Sequence, residues 1–300
     1  MSDQPQAQLD PLPDPLAVRR AVVERYGARA RAALAAQHVD AAAAACCEPA
    51  APAGPRALQF LTLDDDDAGA LSCDPADPNC AVEAPVASGA DAAFGAVLYA
   101  EAELAALPEG AQLASAGCGN PVAIAGLQPG ERVLDLGSGG GIDCFLAAQR
   151  VGATGAVWGL DMTPEMVQLA RHNAETMQLP NVRFRLGEIE DVPFADATFD
   201  VVISNCVINL STDKPRVLAE AFRVLAPGGR FGVSDMVRTR PLTAAEARDA
   251  ESWAGCVAGA LPASEFAQLL VAAGFTDVSL DYEDNERGVA SAYITARRPA

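Results

Sequence analysis

From Tyr99 onward, short apolar runs of strand length alternate with longer stretches of helical periodicity. The strand-like runs are Arg132 to Leu136, Ala156 to Leu160, Val182 to Leu186, Asp200 to Ser204 and Arg230 to Ser234. The helical stretches between them are Ile142 to Val151, Pro164 to Met177 and Lys214 to Leu225. This alternation predicts a parallel sheet with right-handed crossovers and with helices on both faces.

Two more strand-like runs follow near the end of the chain. They are Thr276 to Tyr282 and Val289 to Ala296, and the acidic, glycine-ended segment DNERG separates them. Such a short polar turn favours an antiparallel hairpin that closes one edge of the sheet. The sequence therefore predicts an α/β fold with a seven-stranded, mostly parallel sheet.

The rest of the chain divides into additions around this sheet. We expect an N-terminal segment (1–98), the ligand-binding sheet domain (99–240) and a C-terminal addition (241–300) that carries helices and the closing hairpin. Pro15 to about Cys47 has the periodicity of one or two amphipathic helices. Residues 48–96 are rich in Pro, Ala, Asp and Gly without periodicity, which predicts an irregular insertion.

Charge and hydropathy exclude two classes of partner. Forty acidic residues against 21 basic residues give a formal net charge of −19, and such a surface repels a phosphate backbone. The longest apolar stretches, such as Ala41 to Cys47, are far shorter than the roughly 20 residues of a membrane span. The N-terminus carries Asp and Pro where an export signal would have a basic and then an apolar segment. We expect a cytoplasmic protein that binds neither nucleic acid nor membrane.

The first strand runs directly into a glycine-rich turn, VLDLGSGGGID. This motif puts Asp135, Gly137, Ser138, Gly139 and Gly141 where a strand turns into a helix, and glycine lets the backbone pass close under a ligand. Asp135, just before the first glycine, is a candidate to bind a cationic amino-acid group or to order the loop. The glycines alone leave open a dinucleotide site or a turn used only for packing.

The ends of the next two strands carry further candidate ligands. Asp161 ends the second strand beside Met162 and is placed to accept hydrogen bonds from two ribose hydroxyls. GEIED follows the third strand, where Glu188, Ile189 and Glu190 are candidates to line an adenine. Because the carboxyl ends of parallel strands face one crevice, these residues together indicate a nucleoside ligand with an amino-acid tail.

The cysteines suggest a second site. Eight of them, at positions 46, 47, 73, 80, 118, 144, 206 and 256, are many for a chain expected in a reducing compartment. The two histidines, His38 and His172, are too few for a His-rich zinc or iron centre. No CxxC pair is present, which argues against zinc or redox storage by Cys46, Cys47, Cys73 and Cys80.

The stretch from Glu101 to Val237, with one motif beyond it, resembles the arsenite methyltransferases. The motifs that carry the resemblance are SAGCGNP, VLDLGSGGGID, GLDMTPEM, GEIED, SNCVINLSTDK, RVLAPGGRFGVSD and SWAGCVAGAL. Generic methyltransferases share the glycine loop and the PGG turn, whereas the cysteines of GCGNP and SNCVINL are specific. The resemblance implies a Rossmann-like class I methyltransferase fold, with S-adenosylmethionine bound at the glycine loop and Asn205 beside it.

The resemblance also implies that Cys118, Cys206 and Cys256 together bind As(III) and are the catalytic residues. Trivalent arsenic is soft, prefers thiolates and takes three of them in a pyramid that leaves its lone pair free. Cys206 is expected two residues past the fourth strand, open to the crevice, and Cys256 at the start of a helix. Cys144, in the helix after the glycine loop, is more typical of a buried residue.

The expected reaction is methyl transfer from S-adenosylmethionine to arsenite or its thiol conjugates, in arsenic detoxification. Methylation oxidises arsenic, so turnover is expected to need a thiol reductant, thioredoxin or glutathione, with Cys46, Cys47, Cys73 or Cys80 as candidate relay thiols. One alternative is a small-molecule C- or O-methyltransferase with structural cysteines, which would need a polar base near Asn205 and Asn209. Another is a metalloid-binding protein without turnover.

Overall fold

The computed structural model describes residues 14–46, 99–105, 107–241, 243, 253–283 and 288–300. The predicted irregular insertion at 48–96 lies outside the described residues. So do Cys47, Cys73 and Cys80, and the side chain of Cys46. The proposed relay thiols and the proposed division at residues 98 and 240 stay predictions.

One sheet organises the described chain. Its strands are β1 (Arg132–Leu136), β2 (Ala156–Asp161), β3 (Val182–Leu186), β4 (Phe199–Asn205), β5 (Leu225–Arg238), β6 (Leu261–Pro262), β7 (Thr276–Tyr282) and β8 (Val289–Arg297). The spatial order is β3-β2-β1-β4-β5-β8-β7, and the short β6 pairs with β5. The pairs among β1 to β5 are parallel, whereas β8 runs antiparallel to both β5 and β7. The carboxyl ends of β1, β2, β3 and β4 therefore share one edge.

Helices cover both faces of this sheet. They are α1 (Pro15–Cys46), α2 (Glu101–Leu104), α3 (Glu109–Ala114), α4 (Pro121–Ile124), α5 (Ile142–Val151), α6 (Pro164–Thr176), α7 (Lys214–Val224) and α8 (Ala263–Ala272). Because side chains alternate along a strand, β1 sends Leu134 into the apolar cluster under α7 and α8 and Val133 into the cluster under α5 and α6. Both clusters consist of buried apolar side chains, and they hold the strands and helices that carry the loops of the carboxyl edge.

The N-terminal helix α1 packs on the outside of the helices that cover one face of the sheet. Val18, Val22, Ala30 and Ala33 of α1 are buried at helical spacing, and α1 packs on α3 and α6. The predicted amphipathic region is thus a single helix. None of the described helices combines the length and hydropathy that a bilayer crossing requires.

The predicted fold class is confirmed, with three local corrections. The hairpin of β7 and β8 is antiparallel as expected, and the sheet gains the two-residue β6. Cys206 follows β4 directly, because β4 continues through Asn205. The expectation that Cys256 starts a helix is wrong: residues 253–254 are helical, and Cys256 lies after them in a turn with a positive φ of 65°.

Candidate functional site

A cavity of about 290 Å³ opens at the carboxyl edge of the parallel strands. Most of the predicted cofactor residues line it: Gly137, Ser138, Gly139, Asp161, Met162, Glu188, Ile189 and Asn205. Glu190, a further candidate from the GEIED motif, lines it too, as do Asp143 and Tyr26, which the sequence did not single out for this site. The strand ends therefore converge on one space, as the topology requires.

The glycine loop, residues 137–141, forms the floor of this cavity. Gly137 and Ser138 both donate their backbone N–H to the Leu160 carbonyl, which fastens the loop to β2. Gly137, Gly139 and Gly141 have φ values of 73°, 50° and 96°, a region that other residues rarely adopt. The loop can make this turn because glycine stands at all three positions.

Asp161 holds the loop from the neighbouring strand. Its Oδ2 accepts the Gly139 N–H at 2.9 Å, and its Oδ1 accepts the Thr163 N–H at 2.8 Å. Burial raises the pKa of the Asp161 carboxyl above its ordinary value. The carboxylate lies at the cavity wall, and its predicted contact with ribose hydroxyls stays a prediction.

Asp135 and Gly141 occupy less direct positions than expected. Asp135 is 1% exposed and lies beneath the loop, where its Oδ2 accepts the Cys144 thiol at 3.3 Å. Burial, then the nearby Asp143 carboxylate, raises the pKa of Asp135 well above its ordinary value. Gly141 precedes α5, and a Cβ there would come within 2.7 Å of the Phe145 ring. Neither residue is among those that line the cavity, so their contact with a cofactor stays a prediction.

Asn205, at the end of β4, is the centre of a buried hydrogen-bond network. Its Oδ1 accepts the backbone N–H of Cys118 at 2.9 Å and of Gly119 at 3.3 Å. Its Nδ2 lies 2.9 Å from the Tyr99 hydroxyl, 2.8 Å from the Gly119 carbonyl and 3.1 Å from Asp143 Oδ2. Since both ends of the amide are occupied, Asn205 tethers the Cys118 segment rather than acting as a free polar group for an organic substrate.

Sequence reasoning missed Tyr99 and Asp143. The Tyr99 hydroxyl donates to Asp143 Oδ1 at 2.8 Å, and both side chains are buried. Burial raises the pKa of Asp143 to about 6. Asp143 follows the glycine motif by two residues, which was the available signal, whereas nothing local in the sequence marks Tyr99.

The three predicted cysteines meet beside the cavity. Cys118, Cys206 and Cys256 share one cluster, with Met236, Ala260 and Val289 packed around them. Burial, then hydrogen bonding to the Cys118 and Cys256 thiols, raises the pKa of Cys206 well above its ordinary value. Cys206 also lines the cavity. Cys144 lies elsewhere, buried under the glycine loop as expected.

Glycines and left-handed backbone make this meeting possible. A Cβ on Gly117 would lie 2.2 Å from Asn205 Nδ2, and one on Gly119 would lie 1.9 Å from Ser234 Oγ, so the GCG segment fits only with glycine on both sides of Cys118. Cys206 and Cys256 have φ values of 60° and 65°. Such conformations cost energy in a residue other than glycine and persist where surrounding contacts enforce them.

The thiols do not form a ready-made cation site. Within the part of the chain that the structure describes, no group of three or more His, Cys, Asp or Glu side chains is arranged to hold a metal ion. The Cys118 Sγ lies 3.8 Å from Ser234 Oγ, and the Cys256 Sγ lies 3.7 Å from the Cys206 carbonyl. In this arrangement the Cys118 and Cys256 sulfurs each lie near an oxygen atom.

Helix α1 covers both the cavity and the thiols. Tyr26 lines the cavity, and its pKa is raised by burial and then by the nearby thiols of Cys256 and Cys206. Arg19 pairs with Glu188 at the cavity wall. Arg29 donates to the carbonyl of Ser115 at 2.7 Å, three residues before Cys118. One helix thus contacts the predicted cofactor site and the predicted arsenic site.

Comparison with known proteins agrees with this arrangement. A family model described as a methyltransferase domain matches residues 127–274. An arsenite methyltransferase from Halobacterium salinarum is 45% identical over 238 residues, covering 75% of this chain and 60% of that protein. Another from Aquipseudomonas alcaligenes is 46% identical over 171 residues, covering 55% and 49%. The chain therefore spans about half to three fifths of these curated relatives.

The match to one solved structure covers a larger share of the matched protein. The crystal structure of an arsenic(III) S-adenosylmethionine methyltransferase from Chlamydomonas reinhardtii matches with a TM-score of 0.59 and 39% identity. The match covers 66% of this chain and 72% of that one. At this identity the likeness extends beyond the fold, which many methyltransferases share.

Proposed function

This chain belongs to the arsenite methyltransferase family, and on that premise we propose that it transfers a methyl group from S-adenosylmethionine to trivalent arsenic bound by cysteine thiolates. One observation carries the proposal: thiols from three distant segments meet beside the cavity. Cys206 joins the two sites, because it lines the cavity and contacts both other cysteines.

The cavity residues fit S-adenosylmethionine. The buried Oγ atoms of Ser115 and Ser138 line the cavity and have no hydrogen-bond partner among the described residues, as expected where a polar ligand would supply one. Asp161 offers a carboxylate for ribose hydroxyls, and Glu188 and Ile189 offer a surface for an adenine. When bound, S-adenosylmethionine supplies an electrophilic methyl group on a sulfonium centre.

The thiols fit As(III) as substrate. Arsenite exchanges three hydroxides for three thiolates, and each departing hydroxide takes up one thiol proton and leaves as water. Protonated thiols, such as Cys206 with its raised pKa, therefore need no separate base. Arsenic held by three sulfurs keeps its lone pair, which acts as the nucleophile.

The protein contributes mainly position. Cys206 brings bound arsenic to the cavity wall, Asn205 fixes the Cys118 segment, and α1 packs against both sites. Alignment of two reactants in this way is worth about 7 to 11 kcal/mol in favourable cases. No histidine or carboxylate base is required, which agrees with a thiol cluster walled by Met236, Ala260 and Val289.

We further propose a role in arsenic detoxification and a thiol reductant for turnover. Methylation oxidises arsenic from the trivalent to the pentavalent state, a loss of two electrons. Thioredoxin or glutathione must therefore return it to the trivalent state. Cys46, Cys47, Cys73 and Cys80 are candidate relay thiols. If a variant with all four replaced by serine keeps full multiple-turnover rates with thioredoxin, the relay proposal is wrong.

The test of the main proposal is arsenic speciation after incubation with S-adenosylmethionine, arsenite, glutathione and thioredoxin. Wild type is expected to produce methylated arsenic, and Cys118→Ser, Cys206→Ser and Cys256→Ser to lose that activity. Loss of a direct ligand is expected to exceed the roughly 10- to 100-fold effect of residues that support one. Cys144→Ser is the matched control and is expected to stay active.

Two results would contradict the proposal. A wild type that binds S-adenosylmethionine and yields no methylated arsenic favours an organic small-molecule acceptor. Stoichiometric arsenite binding without any methyl transfer, under the same reducing conditions, favours a metalloid-binding protein.

A further inference from the structure

Asn209 lies directly behind the thiol site. Its side chain is 1% exposed, and its Nδ2 donates to Asp235 Oδ1 and lies 3.7 Å from the Cys206 sulfur. Its backbone N–H donates to the other carboxylate oxygen of Asp235 at 3.1 Å. One amide group therefore bridges a buried carboxylate and a thiol.

Asp235 fixes the orientation of this amide. An ionised carboxylate only accepts hydrogen bonds, so Asn209 must turn its NH2 group toward Asp235, and the second N–H of that group then points at Cys206. Asp235 is itself held by the Met236 N–H at 2.7 Å and by the positive charge of Lys214. The Oδ1 of Asn209 has no partner among the described residues, so the arrangement favours the Cys206 contact over full satisfaction of the amide.

The backbone of Asn209 also contacts the segment that carries Cys256. A Cβ on Gly259 would lie 1.9 Å from the Asn209 carbonyl oxygen. The two backbone segments are therefore in contact, and only glycine fits at position 259. Gly259 follows Cys256 by three residues. Asn209 thus meets two of the three cysteine segments, one through its side chain and one through its main chain.

We propose that Asn209, held by Asp235, is a positioning residue that orients the Cys206 sulfur for As(III). The inference rests on the proposed function and extends it beyond the three cysteines. An N–H donor aimed at a sulfur stabilises its thiolate form and limits its rotation, as the groups around other metal-binding thiolates do.

The first variant is Asn209→Ala. Arsenite alone is the probe, and binding is followed by the near-ultraviolet absorption of arsenic–thiolate bonds, with S-adenosylmethionine binding measured separately. We expect arsenite affinity to fall about 10- to 100-fold and the KM for arsenite to rise, while affinity for S-adenosylmethionine stays unchanged. The matched control is Asn181→Ala, because Asn181 donates to the Gly152 carbonyl far from the thiols.

A residue swap separates positioning from simple structural support. Asn209→Asp combined with Asp235→Asn keeps a carboxylate–amide pair in the core but replaces the N–H that faces Cys206 by a carboxylate. We expect this double variant to unfold at a temperature close to that of wild type. Its affinity for arsenite should nevertheless be lower than that of wild type. It also decides the question if Asn209→Ala proves too unstable to study.

The outcomes distinguish the two proposals. If wild type binds arsenite and either the alanine variant or the folded swap binds it equally well, Asn209 has no positioning role. If wild type fails to bind arsenite, the proposed function is overturned, and this inference with it.

Discussion

The glycine loop and the thiol site lie side by side but are built in opposite ways. The loop comes from one continuous segment, residues 137–141, and its shape depends on positive φ values at Gly137, Gly139 and Gly141. The thiol site takes Cys118, Cys206 and Cys256 from three segments and depends on side-chain hydrogen bonds and close backbone approach. A local backbone motif thus forms one site, and tertiary contacts assemble the other. Substitutions in the two sites should therefore differ in whether they weaken the binding of one ligand or of both.

The largest expected effect is confined to the loop. In Gly139→Val, a β-branched residue must adopt a φ of 50°, which costs about 1 to 3 kcal/mol. Each 1.4 kcal/mol is about a factor of ten, so we expect S-adenosylmethionine affinity to fall about 10- to 100-fold. Among the described residues, a Cβ at Gly139 would meet only Met166 Sδ, at 4.0 Å, so arsenite binding should be unchanged.

Titration calorimetry with each ligand tests this separation. Loss of arsenite binding together with S-adenosylmethionine binding would mean that the two sites are not independent.

The second expected effect concerns both the glycine loop and the thiol site. Asn205→Ala removes the tether of the Cys118 segment and leaves the Cys118 N–H and the Asp143 carboxyl without this partner. A lost buried hydrogen bond costs about 1 to 3 kcal/mol, so both arsenite and S-adenosylmethionine should bind about tenfold more weakly. Paired binding measurements check this, and a loss confined to one ligand would assign Asn205 to that site alone.

The two regions also differ in what the sequence could predict. The bounds of β1, β3, β7 and α5 follow from apolar periodicity and glycine punctuation, because these signals are local. The Asn205 network was invisible, because its partners Tyr99 and Asp143 lie 106 and 62 residues away in the chain. The motif resemblance supplied the three cysteines, whereas the turn at Cys256 depends on tertiary contacts that override local helical preference.

A smaller effect distinguishes the buried thiol of the loop region from those of the thiol site. Cys144 is fully buried, and its thiol donates to Asp135. Cys144→Ala should lower the free energy of unfolding by about 1 to 3 kcal/mol, because Asp135 loses a partner. Arsenite affinity should not change. Urea unfolding and arsenite titration check the two expectations, and weaker arsenite binding would place Cys144 in the thiol site.

The smallest expected effect is the pH dependence of stability, and both the glycine loop and the thiol site contribute to it. Asp143 beside the loop and Asp235 behind the thiols each have a pKa raised to about 6, chiefly by burial. A carboxyl whose folded pKa exceeds its unfolded pKa, about 3.9, binds its proton more tightly when folded. The protein should therefore gain stability as pH falls from 7.5 to 5.0, by about 1 kcal/mol for each group.

Asp143→Asn removes one of these two groups and keeps the volume of the side chain. Urea unfolding at both pH values should then show a gain on acidification about 1 kcal/mol smaller than that of wild type. The comparison concerns the change with pH rather than absolute stability, so a new hydrogen-bond pattern around the amide does not affect it. Equal gains in both proteins would mean that Asp143 is already neutral at pH 7.5 or still ionised at pH 5.0, and that burial beside the loop is not what sets its pKa.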